Sequence, residues 1–348
     1  MALPPKFLAS LPMIPFALLT LLHLLTSLHP WLEPTETACK NPDLAAEQGL
    51  RNYYIGVGPI DEFLCWIVPF FQNTLKLPAG FAVHAYVLTL ANAFMGIASV
   101  EGARVSLSKT IISWVAFFGV FGQLIGISIV VPLFWIPIYA YKTSNPSALN
   151  NSVSPARALA IPLSLFLGVV IIQYNIFYPI SFRAQQNIIG IFMLAPAIPT
   201  LVSYVLTPLV ALVTPASLSE SRAAVRATHT TMALGNFAIH LYLVAYLREH
   251  GAGWAAFRDI IDVPSVLVPS SRIFTDPKEQ ANVLCSHFLL VDLVALTIAM
   301  VYWIGLESGV VPALATLAAS FVVSPGVAVS AYAAWREGTV KSVQKKKQ

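Results

Sequence analysis

The sequence predicts an all-α, polytopic membrane bundle of about eight transmembrane helices, and three observations carry that reading. Hydrophobic residues make up 57% of the 348 and charged residues only 10%, a balance foreign to an ordinary soluble domain. Mean hydropathy is +0.73. Eight apolar runs are each long enough for a bilayer core, which takes about 20 residues. They leave so little chain over that residues 1–348 read as a single integral-membrane domain.

The first run, 7–28, is longer than the apolar region of a secretory signal and lacks a small-residue cleavage site, so it reads as a retained helix. The polar connection after it ends in a stretch near 58–76, where Cys65 to Phe71 is apolar, too short to cross and interrupted by Pro69. That stretch reads as interfacial or re-entrant. Run two, 79–100, closes on Glu101-Gly102-Ala103-Arg104. Run three, 110–141, passes through Gln123, Pro132 and Pro137 and exceeds one perpendicular crossing, so tilt or a proline bend must absorb the excess. Runs four to six are 158–178, 188–213 and 225–247. Trp254 and Phe257 mark the connection near 251–281 as interfacial; runs seven and eight are 283–305 and 311–335. No internal repeat is visible.

Eight crossings place both termini on one side. Counted by connection, Lys and Arg divide 13 to 7 in favour of that side, which the positive-inside rule makes cytosolic. The last four residues, Lys345-Lys346-Lys347-Gln348, look like a dilysine retrieval signal read from the cytosol. The sequon Asn150-Asn151-Ser152 falls in the third connection, lumenal on this topology. Together they point to the endoplasmic-reticulum membrane of a eukaryote. The net charge of +4 offers no nucleic-acid surface. Cys39, Cys65 and Cys285 share no metal-ligand spacing, and nothing in the sequence decides whether Cys39 and Cys65 pair.

Of the 16 acidic residues, only Asp292 lies well inside an apolar run. Insertion scales charge about 2.5–3.5 kcal/mol for an aspartate at a helix centre, so such a residue faces protein and has a partner or a task. Small residues follow it on its helical face, Ala295 and Ala299, with Cys285 and Phe288 before it. The eight-crossing topology starts run seven at the cytosolic face and puts Asp292 in the cytosolic half or near mid-membrane. Asn92, Gln173, Asn175, Asn236 and His240 reach comparable depths, and His287 lies shallower and on another face. For Asn, Gln and His the plainer role is interhelical hydrogen bonding, worth about 0.6 kcal/mol. Glu101 and Arg104, three apart, can pair. Asn92 and Glu101, nine apart, face opposite ways on a straight helix and cannot line one cavity.

What is missing narrows the chemistry. There is no aspartate-rich diphosphate-binding motif, no nucleotide-binding loop, no H-E-x-x-H and no haem pattern; Asp259 and Asp262 are a lone pair in a loop. No metal and no cofactor is expected. A buried carboxyl group without a metal points to proton chemistry.

Several short motifs carry a family resemblance. Tyr53-Tyr54-x-Gly56, Pro59-Ile60-Asp61-x-Phe63-Leu64 and Pro69-Phe70-Phe71 are similar to the loop after the first helix in fungal integral-membrane terpene cyclases of meroterpenoid biosynthesis, of the ascochlorin and ascofuranone type. Glu101-x-x-Arg104 resembles the acidic–basic pair closing their second helix, and Gly119 to Phe134, with Gln123, resembles their third. Asp292 matches an aspartate in their penultimate helix. Val105-Ser106 stands where the family has Gly-Asn.

The resemblance implies a metal-independent cyclase that protonates a terminal epoxide on a farnesylated phenol and steers the carbocation into a ring. The catalytic acid would be Asp292 or Glu101, with Arg104, Asn92, Gln123, His287, Asn236, His240, Asn175 and Asp61 positioning acid or substrate. Its partners would be that lipophilic epoxide, the bilayer and other pathway enzymes of the same membrane, with no nucleic acid. A proton-coupled transporter using Asp292 as a relay, and a non-catalytic membrane scaffold, are the alternative readings.

Overall fold

The computed structural model describes residues 3–145, 150–213, 218–265 and 272–339, and all regular structure among them is helical. The tail lysines lie outside the described residues. In chain order the helices are α1 (Pro5–Lys40), α2 (Pro42–Glu47), α3 (Gly58–Thr74), α4 (Pro78–Ala103), α5 (Val115–Ile125), α6 (Ile127–Lys142) and α7 (Pro155–Phe177). They continue with α8 (Phe182–Phe192), α9 (Ala195–Ala211), α10 (Leu218–Glu249), α11 (Trp254–Ile261), α12 (Pro277–Ser308), α13 (Val310–Val323) and α14 (Pro325–Thr339). Prolines at the first turns of α2, α3, α4, α7 and α12 fit the position where a missing N–H costs nothing.

Five of these helices are long and apolar enough to cross a membrane, and α8 with α9, bent by 53°, makes a sixth. Contacts fix their directions. Lys6 meets Thr143 and Glu307, while Lys40 meets Glu62, so α1 runs from the end of the bundle that holds Glu307 to the opposite end. α4 and α12 both run back. Gly80 packs on Ser286 near their starts, and Arg336 with Tyr139 bridges Glu101 to Glu307 near their ends. The two helices are therefore parallel and in register.

Runs three and eight differ from the expectation. Neither is a crossing; each is a helical hairpin that enters from the end holding Glu101 and leaves by the same end. Ser113, just before α5, packs on Gly102, and Thr143, just after α6, binds Lys6. Eleven residues of α5 span only about 16 Å, half a bilayer core. The hairpin turns at Gly126, with φ 99°, where a side chain would strain the backbone. The second hairpin turns at Ser324, with φ 82°, and its returning helix opens on Pro325. Thr89, well inside α4, touches Gly326, so this tip also lies deep.

Two consequences correct the sequence reading. The chain from 150 to 154 sits beside Val105 and Ser106, so the sequon shares an end with the start of α1 and the end of α14 instead of facing away from them. α12 starts at the other end, and Asp292, midway along it, is near the centre of the bundle. At that other end Cys39 and Cys65 are joined by a disulfide, with Cα atoms 5.8 Å apart, which ties α1 to α3. The 58–76 stretch is a buried helix against α12, with Cys65 and Val68 fully covered, and α11 packs beside it at the same end. Trp135, Tyr139 and Trp303 pack together as the aromatic core between α6 and α12.

Candidate active site

A cavity of about 370 Å³ opens where the tip of the first hairpin reaches α12. Asp292 lies on its wall, 5% exposed. The broken helix explains why an acid is tolerated there. α6 begins at Ile127 in the bundle interior, so its first N–H groups have no partner within the helix. The Ser128 N–H donates to Asp292 Oδ1 at 3.1 Å, and the positive end of α6 faces the carboxyl group. Gly126 completes the fit: a Cβ there would lie 3.6 Å from the same oxygen. Most of the remaining wall is apolar and aromatic, with Trp66, Phe70 and Phe71 from α3, Phe192 from α8 and Phe288 one turn before the acid.

Three amides share this wall, Asn92, Gln123 and Gln173. Asn92 and Gln173 bond reciprocally, Nδ2 to Oε1 at 2.7 Å and Nε2 to Oδ1 at 3.2 Å. They also line a second cavity of about 660 Å³ between α4, α7 and α10, so the pair forms a partition between two chambers. Gln123 Nε2 reaches the Phe192 carbonyl at 3.5 Å. Asn236 belongs to the second chamber and donates to the Gly326 carbonyl at 3.1 Å, securing the tip of the second hairpin.

The other sequence candidates lie elsewhere. Glu101 is the centre of a buried ion cluster: Arg104 donates to both its oxygens at 2.9 Å, Arg336 donates to Oε1 at 2.6 Å and the Tyr139 hydroxyl to Oε2 at 3.1 Å. Arg104 also pairs with Glu337, and Arg336 and Lys6 both pair with Glu307. Three acids face three bases, and Glu101 is bonded as a carboxylate with four donors. Fifteen residues of α12 separate Asp292 from Glu307, about 20 Å, so Glu101 and Asp292 cannot reach one reacting atom. Asn92 and Glu101 indeed do not share a cavity.

His287 turns toward α1 and lies 3.0 Å from His23, with its Nδ1 on the Ile260 carbonyl at 2.7 Å. His240 pairs with the Tyr86 hydroxyl at 2.9 Å. Asn175 binds back to the Ile171 carbonyl in its own helix. Asp61 accepts three backbone N–H groups, from Tyr54, Ile55 and Gly56, and so closes the turn before α3. These bonds, the Ile55 one foremost, hold its carboxyl below the usual range against the opposing effect of burial.

The structure adds His84 to the acid cavity. It is 0% exposed on α4, with Nδ1 2.8 Å from Thr74 Oγ1. The signal was present: a histidine in an apolar run poses the same question as an aspartate there.

A family model described as the CtvD domain matches residues 8–339. The chain belongs to the CtvD-domain family. The matched span takes in both hairpins, the acid cavity and all of the ion cluster but Lys6. CtvD-domain membership points to a terpene cyclase-like role in secondary metabolism, and an apolar, aromatic-rich cavity around one carboxyl group suits that role. No curated protein and no solved structure matches the chain. Among the described residues no three His, Cys, Asp or Glu side chains converge as metal ligands.

Proposed function

We propose that this CtvD-domain protein opens a terminal epoxide on a farnesylated phenol by proton transfer and directs the resulting cation into a ring. The observation that carries the proposal is the lone carboxyl group on an apolar, aromatic cavity inside the bundle. Asp292 is the acid. With Oδ1 accepting the Ser128 N–H, Oδ2 is the oxygen that carries the proton. Protonation turns the epoxide oxygen into a neutral leaving group, and its bond to the tertiary carbon breaks. The rings of Phe70, Phe71, Phe192 and Phe288 attract the cation, and a chamber poor in polar groups delays capture by water. Asn92, Gln123 and Gln173 are the wall groups that hold the substrate's oxygens.

A farnesylated phenol partitions into lipid, which explains an active site inside a membrane protein. We further propose that the membrane is that of the endoplasmic reticulum, with both termini in the cytosol. Among the described residues Lys and Arg divide evenly between the two ends, eight to eight, so the charge support for this orientation comes from the sequence of the tail lysines alone. The Cys39–Cys65 disulfide belongs to the opposite end, as an oxidising lumen would require.

The test is to supply microsomes containing the protein with the farnesylated-phenol epoxide and analyse products by mass spectrometry. A cyclised isomer of unchanged mass is expected. Unreacted epoxide, or only the diol from water capture, would refute the cyclase reading.

A further inference from the structure

We propose that His84 is the catalytic base that takes the proton released when the ring closes; the inference rests on the cyclase reading above. Thr74 decides the protonation of the ring. Its Oγ1 lies 2.7 Å from the Phe71 carbonyl and 2.8 Å from His84 Nδ1. A hydroxyl has one hydrogen. Both contacts are satisfied only if that hydrogen goes to the carbonyl and Oγ1 accepts from Nδ1–H. The lone pair of the neutral imidazole is then on Nε2.

Nε2 is buried and has no hydrogen-bond partner among the described residues. An orphaned buried acceptor costs free energy and calls for a partner. Its surroundings offer none: the ring sits between Phe71 and Phe177, with centroids 5.3 and 5.1 Å away. The ring lines the same cavity as Asp292. Depth agrees as well. Gly80 lies against Ser286, and Glu101 and Glu307 share Tyr139 and Arg336, so the offset between the two parallel helices is the same at both ends. On that register His84 is level with residue 290, about 3 Å along the bundle from Asp292. Asp292 and His84 thus line one cavity, with the unused lone pair of His84 Nε2 buried behind its surface, so that the Phe71 or Phe177 ring must move aside for a substrate C–H to reach it.

The step balances without a further reactant. Asp292 gives its proton to the epoxide oxygen, and the breaking C–O bond leaves its electron pair there as a hydroxyl. The π electrons of the neighbouring alkene form the new C–C bond and move the cation to the far carbon. An adjacent C–H loses its proton to His84 Nε2, and its electron pair becomes the product alkene. Asp292 is then a carboxylate and His84 an imidazolium, and one proton passing between them restores both. The product is an isomer of the substrate.

The experiment compares wild type with H84L, H84Q and T74V on the same epoxide, deuterated at the carbon flanking the final cation. Turnover should fall about 100-fold or more in both His84 variants. The residual products should shift to diol and alkene regioisomers, with the isotopic preference lost. T74V, which keeps the ring but frees its tautomer, should fall less. Wild-type rate and product ratio in H84L overturns the inference, as does a lower rate with unchanged products that tracks lost thermal stability. If H84L does not fold, H84Q and T74V decide. If wild type leaves the epoxide intact, the cyclase reading fails by itself. His84 is then judged by ¹⁵N-histidine spectra with farnesol as hydroxyl donor. A resonance absent from H84Q should move on farnesol addition; no movement overturns the inference.

Discussion

Asp292 holds two positions at once, acceptor for the end of a broken helix and proposed acid, and two substitutions separate them. Asp292→Asn retains an oxygen for the Ser128 N–H, 3.1 Å away, and nearly the same volume, but has no acidic proton. Its fold should be intact while turnover drops about 10²–10⁴-fold, the usual contribution of a positioned acid. That loss corresponds to about 3–5 kcal/mol in the barrier. Asp292→Ala removes the acceptor too, leaving a buried N–H unpaired at a further cost of about 1–3 kcal/mol in stability. Microsomal turnover reads the first effect. A thiol-reactive dye reads the second during thermal unfolding, because Cys285 is buried and is the free cysteine. Wild-type turnover in Asp292→Asn would refute the assignment of the acid. Equal destabilisation of the two variants would refute the capping role.

Four further outcomes follow from the geometry. Arg104→Met strands Glu337 in the interior and takes two of the four donors from Glu101, leaving it Arg336 and Tyr139, and should cost about 3–5 kcal/mol; an unchanged unfolding midpoint would mean the cluster is open to solvent. Gly126→Ala forces a side chain into φ 99°, a strain of about 1–3 kcal/mol, with its Cβ only in ordinary contact with the Asp292 carboxyl group, so stability should fall; an unchanged unfolding midpoint would refute the positive φ at this turn. Cys65→Ser should abolish the mobility difference between reduced and non-reduced protein on a gel and destabilise it by about 2–4 kcal/mol, and a persisting difference would contradict the Cys39–Cys65 pairing. Asp61, whose folded-state pKa is lowered, should add stability that is complete above the ordinary carboxylate range and disappears as pH falls below it; Asp61→Asn should flatten that part of the unfolding profile, and an unchanged slope would show that the turn does not depend on the charge.

Composition and run length disclosed the helical membrane class because burial of backbone in lipid leaves few alternatives. Direction was harder, since hydropathy measures apolar length and is blind to whether a run goes through or turns back. Local signals for both turns existed nonetheless. Gly126 interrupts an otherwise continuous apolar stretch, and Ser324-Pro325 is a helix start placed inside one. The i, i+3 spacing made the Glu101–Arg104 pair legible, but its other members, Lys6, Glu307, Arg336 and Glu337, come from three distant helices. Asp292 stood out because a charge in lipid demands an explanation. Its partner did not, because that partner is the main chain of Ser128 and any residue type could supply it.

The pairing of Ser128 with Asp292 spans 164 residues of sequence. During synthesis at about 5–20 residues per second, roughly 8–33 seconds pass between making the two. Through that interval the amides that open α6 have no carboxyl oxygen to bind, and a hairpin buried in lipid in that state would carry unpaired donors. The hairpin should therefore wait at the membrane surface, or be held by a chaperone or the insertion machinery, until α12 arrives. A ribosome stalled before residue 292 would leave α5 and α6 open to proteases on the side of the termini, and one stalled well beyond α12 would not.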